Sequence, residues 1–202
     1  MNAVTEVRRG PAEALSDLLA GNRRFATGRP RYGHHVANAA ANSRVQQPYA
    51  VVVGCIDSRV PLEAVFDQNF GSICVVRSGG HVLDQSVVGS IEFAVTELGV
   101  SLIVVLGHER CGAIAATVEA LRTGKVVSGP LGYLVDQIAP AVVAAGLEDP
   151  DVHAKTLREH VSRTVTRLRG VDRLATADAE GRAHVVGAVY DLDTGVVTVL
   201  NP

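Results

Sequence analysis

The chain has no surplus of charge of either sign. Its 19 Lys and Arg stand against 21 Asp and Glu, a net charge of −2 over 202 residues. That argues against an electrostatic grip on nucleic acid or an anionic membrane, so neither is expected as a partner. No segment approaches the length of about 20 apolar residues that spans a bilayer. The start, residues 1–9, carries Glu6, Arg8 and Arg9 and is not followed by the apolar stretch of an export signal, so a cytoplasmic location is expected. Only three cysteines occur, Cys55, Cys74 and Cys111. An odd count in an unexported chain disfavours a disulfide framework and leaves the thiols free to bind metal. There is no internal repeat, no low-complexity tract and no linker long enough to divide domains. The phosphate-cradling pattern Gly-x-Gly-x-x-Gly is missing after the first strand, where Gly54-Cys55-Ile56-Asp57-Ser58-Arg59 stands instead, which disfavours a dinucleotide site.

Apolar residues, by contrast, make up 47% of the chain, enough for one sizeable core. They fall in alternating strand-like and helix-like runs. Leu15, Leu18, Leu19 and Phe25 form a helical stripe that Gly28-Arg29-Pro30 stops. Residues 31–48 show no clear period and are expected to be an extended arm. Strands are expected at 50–54, 73–77, 102–107 and 184–190. Asp193-Thr194-Gly195 turns the last into a hairpin with 196–200. Between them, Pro61 opens a short helix and Asp84 caps one over Val87, Val88, Ile91, Ala94, Val95 and Leu98. Gly124 closes another begun at Gly112. Leu131, Leu134, Val135, Ile138 and Val142 form one further stripe, and Leu157, Val161, Val165 and Leu168 another. Continuous apolar strands separated by helices predict an α/β fold, a mostly parallel central sheet flanked by helices, with an N-terminal helical arm and a C-terminal antiparallel hairpin. Residues 1–48 are read as helix and arm of the same unit, and 49–202 as a metal-binding α/β domain.

Two strands end on metal-binding side chains. Val51-Val52-Val53-Gly54 leads into Cys55, and Leu102 to Gly107 leads into His108, with Cys111 three residues on. Active sites of such sheets lie at the carboxyl ends of strands. Cys55, His108 and Cys111 make a Cys2His set, three ligands where tetrahedral zinc takes four. Structural zinc, redox cysteines and coincidence compete with a catalytic reading. Yet no second Cys-x-x-Cys is present to close a structural site. If water takes the fourth place, the site is catalytic; if Asp57 takes it, the site is closed. Residues 55, 57 and 59 sit at alternate positions, so Arg59 can grip the Asp57 carboxylate in a bidentate pair; the plainer reading is a surface ion pair. Two thiolates and a neutral imidazole cancel the charge of zinc, so bound water loses its proton less readily than in a three-histidine site, and activity should favour alkaline pH. Cys74, in Ile73-Cys74-Val75-Val76, reads as a small buried residue of a strand. The other histidines read as solvated or satisfied.

These residues resemble the β-class carbonic anhydrases, the actinobacterial members most of all. The likeness runs through Gly21-Asn22-Arg23-Arg24-Phe25, Gly54 to Pro61, Phe66-Asp67-Gln68, Val75-Val76-Arg77, Gly89 to Val95 and Gly107 to Ala113. The resemblance implies a lyase that reversibly hydrates carbon dioxide to bicarbonate and a proton through zinc-bound hydroxide. It implies one Zn2+ per chain on Cys55, His108 and Cys111, with Asp57 a possible fourth ligand in a closed state. It makes Asp57 and Arg59 the catalytic pair and gives Gln46 and Gly112 to substrate. It implies a homodimer or homotetramer.

The chain departs from the family pattern in places. Cys74 and Gly79 replace larger residues that the family places at the substrate pocket, so a wider pocket is expected, and carbonyl sulfide or carbon disulfide stays a rival substrate. His81 replaces a commoner asparagine. Val52 replaces the tryptophan of a second bicarbonate site that would include Arg77 and Tyr190, so no such site is expected. His34, His35 and His81 are proton-shuttle candidates by residue type alone.

Overall fold

A computed structural model describes residues 9–200; positions 1–8, which carry most of the targeting reading, and 201–202 lie outside the described residues. Five strands, β1 (Ala50–Cys55), β2 (Ile73–Ser78), β3 (Leu102–His108), β4 (His184–Tyr190) and β5 (Val197–Leu200), form one sheet in the order β2-β1-β3-β4-β5. The first four pair in parallel and β5 runs antiparallel to β4. Every residue of β1 and β3 is buried, as continuous β-branched runs require when helices cover both faces. The strand period of two sorts their side chains. Val51, Val53, Cys55, Ile103 and Val105 join one apolar layer, and Ala50, Val52, Val104 and Leu106 the other.

Eight α-helices and one 3-10 turn (Gly79–His81) join the sheet among the described residues: α1 (Pro11–Ala26), α2 (Val36–Ala41), α3 (Leu62–Val65), α4 (Gln85–Thr96), α5 (Gly112–Thr123), α6 (Gly129–Ala145), α7 (Val152–Arg169) and α8 (Asp172–Ala179). The expected caps are in place. Asp84 accepts the Val87 N–H at 2.8 Å, and Gly124 ends α5 in the left-handed conformation, φ 67°. Asn22 ties α1 to the body: its amide donates to the carbonyls of Val65 (3.0 Å) and Gly195 (2.8 Å) and accepts the Val197 N–H (2.8 Å). Asp67, only 1% exposed, accepts from the Arg24 side chain and from the N–H groups of Arg31 and Tyr32.

Three expectations need correction. The 31–48 arm contains α2, and α8 follows α7 where no helix was expected. Leu131 is exposed rather than part of the inward stripe of α6. In that first turn the inward position belongs to Gly132, packed so closely that a Cβ would lie 2.3 Å from the Val127 carbonyl.

Candidate metal centre

β1 and β3 are neighbours, with Gly54 opposite Leu106, so their carboxyl ends bring Cys55 and His108 side by side. Arg110 takes a left-handed φ of 52°, which turns the chain back at once, and Cys111 becomes the N-cap of α5. The donor atoms of Cys55, His108 and Cys111 lie within 4.8 Å of one another, and all three residues are buried.

The His108 Nδ1 is 2.8 Å from the Glu109 carbonyl and so carries the ring proton. That leaves the Nε2 lone pair facing the sulfurs, buried and with no hydrogen-bond partner. Such an orphan costs about 1–3 kcal/mol unless something binds it. The Cys55 thiol is drawn down by the hydrogen bond from Cys111, helped by the Gly80 N–H, while Cys111 is pushed up by the proton it shares with Cys55 and by burial. Two sulfurs holding one proton, next to an empty-handed imidazole nitrogen, fit a thiolate- and imidazole-binding divalent metal such as zinc.

Asp57 sits on the rim of this group. Arg59 donates to it from Nε (3.0 Å), from Nη2 (2.7 Å) and from its backbone N–H (2.9 Å). These bonds hold the Asp57 carboxyl well below the usual carboxylate range. Asp57 Oδ2 is 3.9 Å from His108 Nε2. Both carboxylate oxygens are thus engaged by Arg59 while one still borders the group.

The sequence reading missed a supporting layer. Arg77 donates to the carbonyls of Cys55 (2.8 Å) and Asp57 (2.6 Å), pinning the turn that carries both residues. The Gly80 N–H donates to Cys55 Sγ at 3.4 Å. An arginine at the end of the neighbouring strand was the available signal for the first; the second depends on backbone geometry with no sequence mark.

Gly112 begins α5 beside Cys111, with open space where a side chain would stand. Gln46 is not brought to the group. It lies exposed before the amino end of β1, against Gly71, at the opposite end of the sheet. Cys74 pairs with Val51, four positions before Cys55, and is half-buried at the sheet edge. The space beside Gly79 is filled by Leu134, since a Cβ there would lie 2.7 Å from Leu134 Cδ1. The expected widening at Gly79 is therefore absent. His81 is neither solvated nor satisfied. It is 1% exposed and both its ring nitrogens lack partners, so it offers no path to solvent. His34 and His35 are exposed, and His34 Nε2 bonds the Gln68 carbonyl.

A buried Cys2His group at the carboxyl edge of a parallel sheet, with an ionised Asp–Arg pair at its rim, defines a class: metal-binding α/β enzymes. The carbonic anhydrase family model matches residues 50–197. A carbonic anhydrase of Mycolicibacterium smegmatis is 42% identical over 192 residues, covering 93% of this chain and 92% of that one. Carbonic anhydrase 2 of Mycobacterium tuberculosis is 40% identical over 187 residues, covering 92% and 90%. Among solved structures, Coccomyxa β-carbonic anhydrase in complex with acetazolamide superposes with a TM-score of 0.71 at 25% identity, over 92% of this chain and 86% of that one. The chain belongs to the β-carbonic anhydrase family. Its reaction is the reversible hydration of carbon dioxide, and its cofactor is zinc.

Proposed function

We propose that Cys55, His108 and Cys111 hold the zinc and that Asp57 and Arg59 are the catalytic pair. The observation that carries this is the unpartnered His108 Nε2 facing two sulfurs, with Asp57 Oδ2 3.9 Å away. Zinc, when bound, supplies the Lewis acidity that lets water attack carbon dioxide near neutral pH. Asp57, kept ionised by Arg59, would accept a hydrogen bond at Oδ2 from the attacking water and turn its lone pair toward the substrate carbon. It would stay a carboxylate, and the proton released with bicarbonate would pass to solvent buffer. Gly112, whose N–H belongs to the first turn of α5, suits a substrate oxygen. Gln46 reaches substrate only from a second copy of the chain.

We assign the working form to a dimer or a tetramer of such chains. Exposed apolar side chains, among them Phe93 at 56% exposure, support this, and a fungal neighbour at 24% identity, TM-score 0.72, is described as tetrameric. A cytoplasmic setting suits three free thiols; no helix among the described residues is long and apolar enough to cross a membrane.

The test is stopped-flow hydration of carbon dioxide, from about pH 6.5 to 9, on protein of known zinc content. One zinc per chain with activity rising with pH is expected. Asp57→Asn should keep its zinc and lose about 100-fold or more in turnover. Loss of zinc from that variant would instead make Asp57 a structural ligand.

A further inference from the structure

The turn after β2 is held in an unusual way. Gly80 (φ 59°, ψ 30°) and His81 (φ 49°) are consecutive left-handed residues, a conformation that a histidine rarely adopts. The Gly80 backbone is wedged between α5 and α6, because a Cβ on it would lie 3.0 Å from both Ala113 Cβ and Ile138 Cδ1. Its two polar groups point in different directions to two partners. The N–H donates to Cys55 Sγ at 3.4 Å, and the carbonyl accepts from His160 Nε2 at 2.9 Å.

His160 comes from α7, buried, and is held on its other side by the His81 ring, whose centroid is 4.4 Å away at an interplanar angle of 35°. Because Nε2 faces a carbonyl, that nitrogen carries the hydrogen. Burial depresses both histidines, so both rings are neutral. The His81 ring packs beside His160 and restricts its plane, while its own two nitrogens remain without partners.

We propose that His160 is a positioning residue for the metal centre, holding the Gly80 N–H on the Cys55 sulfur through its bond to the Gly80 carbonyl. This rests on Cys55 being a zinc ligand. The N–H fixes where the sulfur lone pairs point, so losing the anchor loosens the metal.

The test compares His160→Phe and His160→Met, which fill the space without a donor, with His160→Gln, whose amide can replace Nε2–H. Two readouts are taken. The first is scalar coupling between cadmium and the Gly80 amide proton in cadmium-113-substituted protein. The second is zinc release from the holoenzyme to a chromophoric chelator. Parent protein should show the Gly80 coupling. Either donor-less variant that folds should lose it and release zinc about tenfold or more faster. His160→Gln should keep both properties of the parent. Three results overturn the proposal: no Gly80 coupling in the parent, parent-like coupling and release in a folded donor-less variant, or His160→Gln behaving like His160→Phe. Parent protein that takes up no cadmium overturns the metal centre itself, and the proposal with it.

Discussion

At the scale of single residues, the chemistry was the most legible part of the chain. Cys55 and His108 each end an apolar strand and Cys111 follows a two-residue turn, and the pairing of β1 with β3 brings their donors together. Asp67 shows what spacing does not reveal. Its carboxylate ends α3's loop inside the protein, where it gathers Arg24 and the N–H groups of Arg31 and Tyr32. No local pattern marks it, because its partners lie more than 30 residues away. Burial raises its pKa, but the N–H groups of Arg31 and Tyr32 and the Arg24 side chain outweigh that, and the net shift is downward. A depressed carboxyl adds stability that is complete above the unfolded value, about 3.9, and is lost as pH falls through the folded value. Asp67→Ala removes the buried acceptor that these part-buried donors share and should cost about 1–3 kcal/mol at neutral pH in urea unfolding. The gap between parent and variant should shrink as the pH is lowered below about 4.

At the scale of elements, strands and long amphipathic helices were readable and short helices were not. β1 and β3 announce themselves because every residue before the closing Cys55 and His108 is apolar. α8 turns only Leu174 and Ala177 inward, too few to establish a period, and α2 buries none of its residues. Close approach between elements is also silent in a sequence, since a glycine needed for space looks like any other. Gly21 lets α1 settle on the end of α3, where a Cβ would lie 1.8 Å from the Phe66 carbonyl. Backbone cannot yield as a side-chain tip can. Gly21→Ala should destabilise the protein by about 1–3 kcal/mol, read as a lower urea midpoint with unchanged slope. On the other face, Gly107 and Gly187 admit α7, whose Leu157, Val161 and Val165 occupy the space their side chains would need. Gly187→Val should lower the melting temperature and also speed zinc release, because α7 carries His160.

At the scale of the whole molecule, the alternation of strands and helices pointed to a parallel sheet, but the order β2-β1-β3-β4-β5 depends on crossovers that periodicity does not encode. Gln46 marks the boundary of what one chain explains, since it sits at the far end of its own sheet. Sedimentation should therefore show a species of two or four chains, and mixing Gln46→Ala chains with Asp57→Asn chains should restore part of the activity that each lacks alone. A monomer with full activity would remove Gln46 from the substrate site. The ligand set also has an order in time. Residues 55 to 111 hold all three donors, whereas α7, which backs them, ends at Arg169. At ordinary rates of translation the ribosome adds that helix several seconds, on the order of ten, after Cys111. Until that helix is added, the two thiols that the finished protein buries lack the element that backs them.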